Sequence, residues 1–230
     1  MSFIFDGAGD RLTGTLTSSY GDPLTLALFV KVTAHPLAAK GILMVGNNQV
    51  TTPDSYSLRT SSVDNQWEAN SENSAGTNGA AKTTLNIGTT WAGIVGVFTN
   101  DALRDSYVQA IANTAQNTAS RVVADVIKYI SAGGYLSSSN YFTGRIAELA
   151  IWNAALTTQQ ITDYLAGNAA SGIAAANLIE YVPMSTNSLL NLGTDADGDL
   201  TAAGNAAFDS DHPIITSGSA KGRMLLTGIG

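Results

Sequence analysis

FTGRIAELAIWNAALTTQQITDYLAG, residues 142 to 167, holds a turn, a strand, a cap and a short helix in one run. Gly144 follows Tyr141 and Phe142, where a chain turns into a strand. Arg145 to Trp152 is rich in Ile, Leu and Trp and predicts that strand. Asn153 ends it, and Leu156, Ile161, Tyr164 and Leu165 then recur at roughly helical spacing. Thr157 with Gln160 fits a capping box, in which a hydroxyl accepts from an orphan N–H and an amide reaches back. Gly167 supplies the stop.

Outward from this block, strands alternate with Gly, Ser and Asn loops. In LTLALFVKVT (24 to 33), Leu24, Leu26, Leu28, Val30 and Val32 share one face at period two. Ala27 and Phe29 lie between Thr25 and Lys31 on the other face, which predicts that this second face is partly covered. GILMVGN (41 to 47) reads as a buried strand. In SYSLRTS (55 to 61), Tyr56 and Leu58 are assigned to opposite sides of the pleat. Gly93 and Gly96 in TTWAGIVGVFTN imply a close approach by another layer or a bulge. EANSENSAGTNGAAKTT (68 to 84) is open between a loop and the tip of a long hairpin, and residues 113 to 135 between a helical turn and a strand pair.

Several motifs together resemble the laminin-G-like and pentraxin-like branch of the concanavalin A-like jelly rolls. There a strand of the form G-x-I-x-E-x-x-I-W-N precedes an A-L-T-x-x-x-I helix. Gly144, Ile146, Glu148, Ile151, Trp152, Asn153, Ala155, Leu156, Thr157 and Ile161 stand at those positions. FDGAGDRLTGT (5 to 15) is similar to the opening strand of that family. LTLALFVKVT is similar to the next, with Phe29 in place of the usual Trp, and LIEYVPM (178 to 184), DGDLT (197 to 201) and SDHP (210 to 213) to the closing segments. SYVQAIA (106 to 112) carries Ala110 near a position usually held by Gly. The resemblance implies an all-β fold: a two-sheet antiparallel jelly-roll sandwich over 1–218, one short helix near 157–166, and a C-terminal tail, 219–230.

Composition bounds the function. Charged residues are 13% and hydrophobic ones 44% of 230, which fits one folded sandwich domain and not a disordered tail. No apolar run reaches the ~20 residues that cross a bilayer, so no membrane role is expected. A net charge of −7 without any basic run argues against nucleic acid. No cysteine is present, so disulfides contribute nothing. Residues 1 to 25 lack a basic start followed by an apolar core, so no signal peptide is expected.

Catalytic sets are sparse. The glutamates are Glu68, Glu72, Glu148 and Glu180, and Glu68 and Glu72 sit at loop-like spacing among Asn and Ser. The alternating carboxylates of a strand-borne glucanase site are therefore not expected, and the chain reads as no enzyme. His35 and His212 each precede proline and read as turn or packing residues. Calcium is the one cofactor weighed, through Asp195, Asp197 and Asp199 in TDADGDL, against a plain acidic turn.

For recognition, Trp91 and Trp152 read as core, whereas Trp67, expected exposed beside an amide-rich loop, is open between stacking on a sugar or anchoring an interface and simply closing one end of the sandwich. Tyr135 and Tyr141 form a second aromatic loop. Met224, Leu225 and Leu226 make an apolar tail able to pair with a neighbour's sheet edge. With no export signal and no catalytic set, the expectation is a structural virion protein assembled in a host cytoplasm. In that role it is a homo-oligomeric bacteriophage capsid decoration (cement) protein docked on the major capsid protein or tail subunits. The alternative is a carbohydrate-binding or adhesion module for a surface glycan.

Overall fold

The computed structural model describes residues 1–32, 38–47, 54–63, 65–84, 89–123, 127–135, 140–184, 188–195, 197–213 and 215. In chain order the strands are β1 (Ser2–Asp6), β2 (Arg11–Thr15), β3 (Leu24–Lys31), β4 (Gly41–Gly46) and β5 (Ser55–Thr60). They continue with β6 (Gln66–Glu72), β7 (Asn78–Thr84), β8 (Ala92–Asn100), β9 (Leu103–Val108), β10 (Ala110–Asn117), β11 (Tyr129–Ala132) and β12 (Thr143–Trp152). Helix α1 (Thr158–Leu165) follows, and then β13 (Leu178–Val182), β14 (Thr201–Ala203) and β15 (Ala207–Asp209). Among the described residues no helix is long and apolar enough to cross a membrane.

The strands form two antiparallel sheets. One runs β10-β9-β8-β3-β12-β1-β15, with β13 also paired to β12, and the other runs β14-β2-β11-β4-β5-β6-β7. Non-local pairing such as Leu26 with Ile151 makes this a jelly roll, not a series of hairpins. Leu24, Leu26, Leu28 and Val30 of β3 do share one face and enter the core between the sheets with Leu12, Leu43, Leu58, Phe98 and Ile151. Tyr56 enters the same core. Residues two apart on a strand face one way, so Tyr56 and Leu58 are not on opposite sides.

The outer face of the eight-stranded sheet is covered more fully than its sequence suggests. Ala27, Phe29, Val95, Val97 and Trp152 meet Ile161 and Tyr164 of α1 in a second apolar layer. Gly93 makes room for that helix: a Cβ there would lie 2.6 Å from Leu165 Cδ2. Gly96 faces the other way, and its Cβ would lie 2.7 Å from Leu58 Cδ2 across the core. The predicted capping box is present, with Thr157 and Gln160 bonded reciprocally, and Gly167 follows the helix at φ 86°.

Two segments left open by the sequence are now placed. Residues 68–84 belong to a hairpin, β6 and β7, paired from Gln66–Thr84 to Glu72–Asn78. Between 113 and 135 the chain finishes β10 and then forms β11. The register of β9 and β10 shifts just beyond Ala110, next to Gln109 at φ 62°, so the backbone freedom expected of a glycine falls one residue earlier.

Candidate functional site

Six of the residues expected to matter, Trp67, Tyr135, Tyr141, Asp195, Asp197 and Asp199, are placed, and of these only Asp197 and Asp199 line a common groove. Trp67 is 1% exposed and packs in the core between the sheets. Its polar neighbours misled, because Gln66, Glu68 and Asn70 alternate with it and point out of the same strand while Trp67 points in. Trp152 is fully buried and donates Nε1–H to the Ile173 carbonyl at 2.7 Å; half-buried Trp91 donates to Asp211 at 2.9 Å. Tyr135 and Tyr141 are half-buried, and Tyr141 packs against Gly134. Met224, Leu225 and Leu226 lie outside the described residues, as does His35.

Glu68 and Glu72 are not loop residues. Both lie on β6 and share its outer face, the spacing a strand-borne carboxylate pair needs. Their chemistry differs from a hydrolytic pair. Glu68 is 3% exposed, with one oxygen 2.6 Å from Arg59 Nε and the other 2.9 Å from Lys82 Nζ. Burial alone would raise its pKa, but the two cations hold it below the ordinary carboxylate range. Burial pushes Glu72 the opposite way, with Arg59 opposing. A nucleophile must offer a free oxygen to its substrate, and both oxygens of Glu68 are spent. The arrangement is an ion-pair cluster.

The acidic turn divides in a similar manner. Asp195 is 6% exposed; its carboxylate accepts from Thr17 N–H and Oγ1–H, both at 2.8 Å, and from Tyr20 O–H at 3.0 Å. Burial would raise its pKa, and these bonds bring it below the usual value. Asp199 accepts from Asn191 N–H at 2.8 Å. No three acidic or histidine side chains among the described residues come together to hold a metal. The donor set therefore does not fit calcium, since Asp195 is a staple and Asp197 and Asp199 face elsewhere.

What Asp197 and Asp199 do line is a groove of about 530 Å³ along β2, on the outer face of the seven-stranded sheet. Arg11, Thr13, Gly14 and Thr15 form its floor, Tyr129 of β11 one wall, and Asp197, Asp199 and Thr201 the other. Register explains the lining. Tyr129 pairs with Thr15, and Thr201 with Thr13, so their side chains emerge on one face. Lys128 lies 5.9 Å from the Tyr129 ring centroid.

The acidic wall is set by β13. Backbone N–H groups of Leu192, Thr194 and Asp195 donate to Tyr181, Leu178 and Ile179 carbonyls, so the loop covers the free edge of that strand. Asn191 binds both sides: its Oδ1 accepts from Tyr181 N–H and its Nδ2 donates to Ile179 and Asp195 carbonyls. Beneath lies Glu180, with no exposure and, among the described residues, no partner for either oxygen. Burial, reinforced by Asp195 and Asp199, pushes its pKa up to about 9, so at neutral pH it is an uncharged acid.

Fold and groove invite comparison with known proteins. The Laminin_G_3 family of the concanavalin A-like lectin/glucanases superfamily matches residues 6–162, more than half of the chain. The chain belongs to this family. No curated protein matches it. This laminin-G-type chain shares its fold with a Bacteroides ovatus protein taken to bind carbohydrate, at TM-score 0.60 and 15% identity, over 94% of this chain and 61% of that one. The heptameric SAP-like pentraxin of Limulus polyphemus is similar at TM-score 0.56 and 14% identity, over 90% and 93%. Domain 4 of an extracellular arabinanase from Geobacillus stearothermophilus, solved with arabinotriose, is similar at 0.55 and 20%, over 70% and 75%.

The groove was only half legible in the sequence. Asp197 and Asp199 stood out as an acidic turn, but Arg11 and Tyr129 belong to plain strand patterns and are joined by pairing alone.

Proposed function

We propose that the protein is a non-catalytic glycan-binding module whose ligand lies in the groove along β2. The observation that carries this reading is the lining: an aromatic ring, three threonine hydroxyls and a guanidinium on one sheet face, with two carboxylates on the loop beside it. Carboxylates and hydroxyls bond sugar hydroxyls, and an aromatic face covers the apolar side of a pyranose ring. The volume is that of ordinary small-ligand sites. Relatives of the same fold that are solved with arabinotriose or taken to bind carbohydrate support the reading.

Docking on virion subunits, the other role expected from the sequence, was assigned to Met224, Leu225 and Leu226, outside the described residues. Glycan-array binding, followed by calorimetry on the best oligosaccharide, tests the glycan-binding reading. Tyr129→Ala and Asp199→Asn are each expected to weaken binding at least about tenfold, the size of a lost charged hydrogen bond or stacking contact, with melting temperature little changed. Binding that survives both substitutions places the ligand elsewhere and overturns the assignment.

A further inference from the structure

We infer that the groove selects an acidic glycan, with the carboxylate of one sugar residue seated on the Arg11 guanidinium. The inference rests on the glycan-binding reading and adds the ligand's charge. Its starting point is an accounting of cations. Arg59 binds Glu68, Arg104 binds Asn117 and two carbonyls, Arg121 binds Asn78 and Ser120 carbonyls, and Arg145 binds Asp209. Arg11 has no ion-pair or hydrogen-bond partner among the described residues, and its Nε is buried without an acceptor. The charge that this guanidinium brings to the groove therefore has no counter-ion from the protein, and a ligand carboxylate would supply one.

The shape of the donor narrows the acceptor. A guanidinium presents a planar fork that matches a carboxylate in two parallel bonds, and such charge-assisted pairs are the strong ones. A neutral sugar hydroxyl uses one arm and none of the charge. The rest of the groove limits the ligand to one such group. Asp197 and Asp199 form the wall beside Gly14, where a Cβ would come 3.2 Å from the Asp199 carbonyl. Arg11 lies three residues away along β2, about 10 Å at the rise of a strand. One end is therefore cationic and the other anionic. A chain of uniformly charged sugars would meet repulsion at the second end. An oligosaccharide with one acidic residue at Arg11 and a neutral neighbour on the two aspartates satisfies both.

The test is an array of oligosaccharides printed in matched pairs, each acidic glycan beside its methyl ester, read with the wild-type chain, Arg11→Gln and Arg11→Lys. The ester keeps the shape and removes the charge. The expected result is that the best ligand is an acid, that its ester binds roughly tenfold or more weakly, and that Arg11→Gln brings the ratio close to one. Arg11→Lys is expected to retain part of the preference, because it keeps the charge and loses the fork. Unchanged melting of Arg11→Gln shows that fold loss is not the cause. Equal binding of acid and ester, or a preference for neutral or amino sugars that Tyr129→Ala abolishes, overturns the inference and leaves the glycan-binding reading standing. No binding to any glycan overturns both.

Discussion

Glu180 stores a cost in the fold that a single isosteric change releases. With its pKa at about 9 in the folded protein against 4.5 ordinarily, the folded state keeps a proton that the unfolded chain gives up. Between those values the folded form binds more protons, so stability falls as pH rises through the window and is level below and above it. At pH 7 the loss is on the order of 3 kcal/mol. Glu180→Gln is expected to match the parent in urea titrations at pH 4 and to exceed it increasingly from pH 5 to pH 8. A parallel offset at every pH would remove the buried acid from the account. Trp67 makes the opposite case at the same scale. Trp67→Ala is expected to cost roughly 3–5 kcal/mol by denaturant midpoint, because it empties a core site, and to leave any remaining folded protein's glycan affinity unaltered.

Among elements, the segments 191–195 and 197–199 are the ones whose shape the groove depends on. Gly198 lies over Glu180, where a Cβ would fall 1.8 Å from Oε2 and 2.6 Å from Asn191 Nδ2. The glycine is needed for this approach, and no turn conformation has to be invoked. Gly198→Ala is expected to shift Asp197 and Asp199 and reduce glycan binding at least about tenfold while the helix and core persist. Shortening the partner should relieve the clash. The loss in melting temperature caused by Gly198→Ala is expected to be smaller in a Glu180→Ala background, a coupling that a double-mutant cycle reads directly. Additive effects would mean that the two groups do not meet. The same element scale shows why the hairpin of β6 and β7 was hard to read: EANSE looks like loop because its outward row is polar and its inward row small, and only pairing with β5 on the other side makes it a strand.

Across the whole molecule, Arg104 joins the two sheets. It is 1% exposed on β9 of one sheet and lies against Gly79 on β7 of the other, where a Cβ would meet Nη1 at 2.0 Å. Its guanidinium donates to Asn117 Oδ1 at 2.8 Å and to the Asp101 and Ala119 carbonyls at 2.7 and 2.8 Å. Burial lowers its pKa, with Arg121 adding to the effect and Tyr56 and Asp101 opposing it. Arg104→Met is expected to cost about 2–4 kcal/mol, because three acceptors lose a charged donor inside the protein. Tryptophan fluorescence and far-ultraviolet dichroism should still fall together in one transition, since both sheets share one core.

The block from 142 to 167 and the period-two pattern of β3 were enough to determine strands and a capped helix, and the resemblance carried by that block implied the antiparallel sandwich. Those signals are local: side-chain alternation, a capping box and a glycine stop act within a few residues. Trp67 and the Glu68–Glu72 pair were misplaced because burial of a polar strand depends on partners far along the chain. The groove was decided only by tertiary structure. Arg11, Tyr129 and Asp199 are separated by more than a hundred residues or by several strands in sequence, and strand pairing and the cover over β13 bring them to one face. Sequence patterns report which way a side chain points within its own element. What it meets there is set by register and by the packing of elements on one another.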